Sequence, residues 1–163
     1  MATVSKNLSE YDIKKVTDAS TFRFGIVVSE WNKSITDNLL KGALTTLKEN
    51  GAGDENIVVW HVPGSYELIY GCSQMIKTQT VDAVIAIGSL IKGETMHFDF
   101  IGHSVSQGIK DLNLQTDTPT IFCVLTDDTT EQAIDRSGGK HGNKGIACAV
   151  AAIRMAELKN RIN

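Results

Sequence analysis

Residues 81–91 read VDAVIAIGSLI, and residues 92–99 continue as KGETMHFD. Apart from Asp82, the first stretch is apolar until Gly88 and Ser89. It is too short to cross a bilayer, which takes about 20 apolar residues. It therefore reads as a strand buried on both faces, the kind found in parallel sheets. A helix predicted from about Phe98 to Leu114 follows, so residues 88–99 form the junction where a buried strand ends and a helix begins.

The same grammar extends in both directions. Phe22 to Trp31 is rich in β-branched and aromatic residues and predicts a strand. Asn32 then stands as the cap of a helix whose apolar residues Ile35, Leu39, Leu40, Ala43, Leu44 and Leu47 recur at helical spacing, and Gly51 ends it. Ile57 to Val62 predicts a second strand and Ser65 to Lys77 a helix. Beyond the junction come a strand from Thr120 to Thr126 and a short helix from Thr129 to Arg136. The glycine-rich GGKHGNKG leads into an alanine-rich helix from Ile146 to Lys159. Strand and helix alternate four times, which predicts an α/β fold: a three-layer α/β/α sandwich, flavodoxin-like, around a central parallel four-stranded sheet. Length and pattern indicate a single domain over residues 1–163, with residues 1–21 either loose or pairing with a neighbouring subunit.

Composition narrows the function. Sixteen Lys and Arg against nineteen Asp and Glu give a formal charge of −3, without the basic surface that nucleic acid selects. Cys72, Cys123 and Cys148 are odd in number and lie in apolar segments, where reduced thiols pack as small hydrophobes, so a cytoplasmic setting is expected. The N-terminal stretch mixes charges of both signs and does not read as a signal peptide. No segment reads as membrane-spanning.

In an open parallel sheet, ligands bind outside the carboxyl ends of the strands. The residues to examine are thus Trp31-Asn32, Pro63 to Glu67, Ser89 to His97, and Thr126 to Asp128. The main-chain N–H groups of Gly93, Glu94 and Thr95 precede a helix and suit an anion; an ordinary turn capped by Thr95 fits the same residues. His97 beside them is placed to shuttle protons, since an imidazole with a pKa of about 6.5 donates and accepts near neutrality. Asp99 reads either as a group that orients or charge-stabilises His97, against the tendency of helix neighbours at that spacing to point apart, or as a surface charge. His61, His103 and His141 read as structural or solvated, and no metal-ligand spacing is present.

Several chemistries are disfavoured. GGKHGNKG lacks the Gly-Lys-Ser/Thr ending of a nucleoside-triphosphate loop, and no Gly-x-Gly-x-x-Gly follows the first strand. Glu67 stands where a serine-nucleophile elbow needs glycine. Ser65 more plausibly bonds a polar ligand, Trp31 suits either the core or stacking on a heterocycle, and Glu67 and Asn32 suit hydroxyls and amides. Arg136 reads as a solvated arginine whose planar fork also fits phosphate.

Taken in order, FGIVVSEWN, VPGSYEL, GSLIKGETMHFDF, IFCVLTDDTTEQAIDRSG and HGNKG span nearly the whole chain and resemble the successive motifs of the 6,7-dimethyl-8-ribityllumazine synthases. The resemblance implies the penultimate step of riboflavin synthesis: condensation of 5-amino-6-(D-ribitylamino)uracil with 3,4-dihydroxy-2-butanone 4-phosphate, without metal or organic cofactor. It further implies that Trp31 stacks on the pyrimidine and that Ser65, Tyr66 and Glu67 hold the ribityl chain or ring. By the same resemblance Ser89, Leu90 and Ile91 would line the ring pocket. Glu94 and Thr95 would meet the phosphate with Arg136, and His97 would be the proton donor. Phe122 and Lys144 would come from an adjacent subunit. Glu94 occupies a position where the family commonly has a small residue, so only its backbone is expected to serve the phosphate. Family members resemble pentamers, some assembled into icosahedral capsids, and the compact GGKHGNKG link resembles the capsid-forming type; association with riboflavin synthase belongs to the same expectation. A non-catalytic lumazine-binding module and a shell protein with a vestigial site are the rival readings.

Overall fold

In the computed structural model, residues 7–162 are described. Four parallel strands form the central sheet: β1 (Phe24–Ser29), β2 (Ile57–Val62), β3 (Ala83–Ile91) and β4 (Thr120–Asp127). Their order is β2-β1-β3-β4. The helices α1 (Lys33–Glu49), α2 (Leu68–Thr78), α3 (His97–Gln115), α4 (Thr130–Arg136) and α5 (Lys144–Ile162) cover it. The three-layer α/β/α architecture is the one the alternation predicts.

The pleat of β3 divides the core. Ala83, Ile85 and Ile87 pack with Leu39 and Leu47 of α1 and Ala149 and Ile153 of α5. Val84 and Ala86 point the other way, against Leu68 and Met75 of α2 and Val105 and Ile109 of α3. A strand whose successive side chains enter two different cores has to be apolar at nearly every position, which is why residues 81–91 lack the alternation of a half-exposed strand. The small residues of α5 let it lie close to α1: a Cβ on Gly145 would collide with the carbonyl oxygen of Leu39.

The chain runs from β1 outward to β2 and then back across to β3 on the other side of β1. Connections above β1 and β3 therefore leave in opposite directions, opening a crevice beyond their carboxyl ends.

Three local features differ from expectation. Asn32 does precede α1, but its φ of 57° and ψ of 46° are left-handed and its side chain makes no capping bond. α2 begins at Leu68 rather than Ser65, because residues 65–67 form the turn that leads into it, with the Leu68 N–H reaching the Ser65 carbonyl at 3.3 Å. The glycine-rich link folds as two short antiparallel strands, β5 (Ser137–Gly139) and β6 (Gly142–Asn143). Onto this hairpin lies the segment before β1: the Leu8 N–H donates to the His141 carbonyl at 2.8 Å, and the Asn143 N–H to Ser9 Oγ at 2.9 Å. Residues 1–6 of the expected N-terminal segment lie outside the described residues. The three cysteines are buried free thiols. Among the described residues, no helix is long and apolar enough to cross a membrane.

Candidate functional site

A cavity of about 540 Å3 occupies the crevice above β1 and β3, a size suited to a small organic ligand. Trp31, Asn32, Gly64, Ser65, Tyr66, Glu67, Ser89, Leu90, Ile91, Gly93, Thr95, His97, Phe98 and Ile101 line it. Eleven of these are candidates from the sequence, assembled from three separate stretches.

The backbone holds each element in place. Glu30 and Trp31 continue the strand pairing beyond β1, donating to the carbonyls of Val62 at 2.8 Å and Pro63 at 3.1 Å. The chain then turns through the left-handed Asn32, leaving Trp31 71% exposed with its ring at the cavity mouth. A side chain of this size is rarely left in water without a ligand or partner surface to cover it. Asn32 serves the site structurally: its Nδ2 donates to the Ser89 carbonyl at 3.0 Å, joining the ends of β1 and β3.

Ser65 is buried, and among the described residues its Oγ has no hydrogen-bond partner. The hydroxyl of Ser89 is in the same condition. Buried unpaired hydroxyls are costly, so one that lines a cavity marks a place for a ligand's polar atom. Gly88 makes room for the Ser65 hydroxyl: a Cβ there would stand 2.8 Å from Ser65 Oγ and 3.0 Å from Leu68 Cδ1.

The loop after β3 begins with the Lys92 N–H donating to the Asp127 carbonyl at 3.0 Å. His97 is the first residue of α3; its main-chain N–H points to Thr95 Oγ1 at 3.4 Å, so Thr95 does brace the helix start. The imidazole is exposed and makes no side-chain hydrogen bond among the described residues, leaving both ring nitrogens available. Asp99 does not orient it; the Asp99 carbonyl instead meets His103 Nδ1 at 2.7 Å. His61 and His103 are exposed and His141 half-buried. Among the described residues, no group of three His, Cys, Asp or Glu side chains is arranged to hold a metal.

Four candidates do not line the cavity: Glu94, Phe122, Arg136 and Lys144. Glu94 is exposed in the loop. Phe122 lies on the edge strand β4, 37% exposed. Lys144 opens α5 near the buried pair Cys123 and Cys148; the hydrogen bond between these thiols raises Cys123 and lowers Cys148, and the Lys144 charge favours the thiolate of each. Arg136 ends α4 with Nη1 3.7 Å from Asp127 Oδ1 and 3.2 Å from the Gln132 carbonyl. Burial raises the pKa of Asp127; Arg136 opposes the shift and Asp128 adds to it.

Gly64 lies within the stretch Pro63 to Glu67 marked from the sequence, whereas Phe98 and Ile101 line the cavity without having been singled out. Phe98 and Ile101 are three apart at the start of α3 and so share a helix face, a signal that was readable.

A flat aromatic at the mouth, unpaired hydroxyls in the floor, main-chain polar groups at the end of β3 and an imidazole at a helix N-terminus can together hold a polar heterocycle and move its protons. A family model described as 6,7-dimethyl-8-ribityllumazine synthase matches residues 21–160. A protein of that name from Flavobacterium psychrophilum is 58% identical over 163 residues, spanning 100% of the chain and 86% of the relative. One from Christiangramia forsetii is 59% identical over 160 residues, covering 98% of the chain and 95% of the relative. The corresponding protein of Phocaeicola vulgatus is 52% identical over 162 residues, covering 99% and 96%.

Proposed function

The chain belongs to the 6,7-dimethyl-8-ribityllumazine synthase family, and from that premise we propose how its cavity carries out the family's reaction. The protein is a transferase of riboflavin biosynthesis. It condenses 5-amino-6-(D-ribitylamino)uracil with 3,4-dihydroxy-2-butanone 4-phosphate, releasing phosphate and water. The observation that carries the site reading is the convergence of Trp31, the unpaired Ser65 hydroxyl and the free imidazole of His97 around one cavity.

In this reading the pyrimidine stacks on Trp31, while Ser65, Tyr66, Glu67 and Asn32 bond its polar edge and ribityl chain. Ser89, Leu90 and Ile91 present strand-end main chain and side chains to the ring. The backbone of Gly93, Glu94 and Thr95 meets the phosphate with the fork of Arg136. The substrate amine attacks the ketone and water leaves to give an imine. Phosphate is then eliminated, and ring closure completes the lumazine with loss of a second water. His97 relays protons among these steps. Holding two reactants in one crevice supplies much of the acceleration, and no cofactor or metal enters the scheme.

On the family resemblance Phe122 and Lys144 are assigned to the site of an adjacent subunit, and their absence from the cavity lining of their own chain supports that reading. Exposed Trp31 and Tyr66 line the cavity, exposed Met96 and Phe100 adjoin its lining residues His97 and Ile101 in the chain, and together they support a subunit contact there. A ring that repeats this contact gives one shared site per interface; we assign a pentamer, with icosahedral shells of pentamers and association with riboflavin synthase as its extension. Buried reduced thiols support a cytoplasmic location.

Mixing the purified protein with the two substrates and following the absorbance and fluorescence of the lumazine tests the reaction. A rate no faster than the spontaneous condensation would sink it. Light scattering that finds only isolated pentamers would contradict the shell.

A further inference from the structure

The geometry points to Asp127 as a positioning residue that holds the Arg136 guanidinium ready for the phosphate of the four-carbon substrate. This rests on the assignment of Arg136 to the phosphate.

Asp127 is the last residue of β4, in register with Ile91 at the end of β3. Its carbonyl accepts from the Lys92 N–H, which opens the loop carrying Gly93 to Thr95. Its carboxylate lies 3.7 Å from Arg136 Nη1. Its main chain thus fixes the start of the loop that carries Gly93 to Thr95, while its side chain meets Arg136.

Two details separate this from an ordinary structural ion pair. The Asp127 side chain is only 6% exposed and its Oδ2 is buried without a partner among the described residues, whereas the Arg136 side chain is 39% exposed. An aspartate serving stability would be solvated or bonded through both oxygens; a buried, half-satisfied carboxylate is a liability that persists where function needs it. Second, both anchors of Arg136, Asp127 and the Gln132 carbonyl, engage the same nitrogen, Nη1. Among the described residues Nη2 and Nε make no hydrogen bond, so they remain free to address an oxyanion. Arginine carries large rotamer entropy, and fixing it beforehand removes that cost from substrate binding.

The test uses the full-length protein and both substrates. Asp127→Asn keeps the shape and removes the charge. Expected is a rise of roughly five- to tenfold in KM for the butanone phosphate, in the range of coupling between contacting groups. The KM for the ribitylaminouracil and kcat should stay within about twofold, since positioning for binding acts on one substrate. The double variant with Arg136→Ala should be no worse than Arg136→Ala alone, because Asp127 acts only through Arg136. An Asp127→Asn enzyme with an unchanged or lowered KM for the phosphate substrate overturns the role of Asp127 while Arg136→Ala still raises that KM. If Arg136→Ala leaves that KM unchanged, the assignment of Arg136 falls and the role of Asp127 falls with it. A thermal melt of Asp127→Asn at or above that of the parent excludes misfolding as the cause.

Discussion

Asn32 donates its side-chain amide to the main-chain carbonyl of Ser89, 3.0 Å away, while its own backbone sits in the left-handed region at φ 57°. One residue thus turns the chain from β1 into α1 and ties the end of β1 to the end of β3. Asparagine tolerates this conformation better than other residues with side chains. Asn32→Ala loses the bond and strains the turn, and should cost about 2 kcal/mol in urea denaturation. Asn32→Gly relieves the strain and loses only the bond, so about 1 kcal/mol is expected. Equal losses for the two variants would show that the left-handed turn imposes no constraint.

Ser65 presents the opposite balance. Its buried Oγ has no partner among the described residues, so removing it should not harm the fold. Ser65→Ala is expected to leave stability unchanged or to raise it by up to about 1 kcal/mol, while raising the KM for ribitylaminouracil several-fold. Denaturation and steady-state kinetics on the same sample decide the matter. A loss of stability with KM unchanged would make the hydroxyl a structural group.

Much of this was legible in the sequence because parallel sheets carry a strong signal. Strands such as the one through residues 83–87 must be continuously apolar or β-branched, and the helices between them must repeat at helical spacing, so type and order can be read without partners. Strand ends then locate the site, since chain direction puts Trp31, Ser65 and Ser89 at one edge. Less legible was anything set by side-chain geometry across distant segments. Asn32 has the composition of a cap, yet its amide is drawn to Ser89, a partner 57 positions away. The link at residues 138–145 has too many glycines for strand propensity to show, and folds as a hairpin through pairing between Ser137 and Asn143. Asp127 looks like any polar loop residue until the register of β4 buries it.

That burial gives Asp127 a pH signature. Desolvation raises its pKa above the ordinary aspartate value, against the pull of Arg136 and with a push from Asp128. In the interval between the unfolded and folded pKa the native state binds more protons than the unfolded chain, so stability falls as pH rises through it. The contribution is fully present below the unfolded value and lost above the folded one. Asp127→Asn removes the ionisation and should melt higher than the parent at pH 7, with the gain shrinking as pH is lowered through the aspartate range. Parallel melts of the two proteins across that range check the sign; a gain that grows toward acid would reverse it.

The shared site makes the most demanding prediction, because it requires two chains to be read as one active centre. His97 lines its own chain's cavity, whereas Phe122 does not. His97→Ala should slow turnover by roughly 100-fold without abolishing it, the lower end of what proton transfer contributes, since binding and orientation remain. Phe122→Ala should weaken binding of the pyrimidine. If each site takes His97 from one subunit and Phe122 from its neighbour, unfolding the two variants together and refolding them as mixed rings places both intact residues at about one interface in four. The mixture should then turn over faster than the mean of the two parents at low pyrimidine concentration, while separately refolded parents combined afterwards should show only the mean. Were both residues contributed by the same chain, no interface could regain an intact site and the two preparations would be indistinguishable.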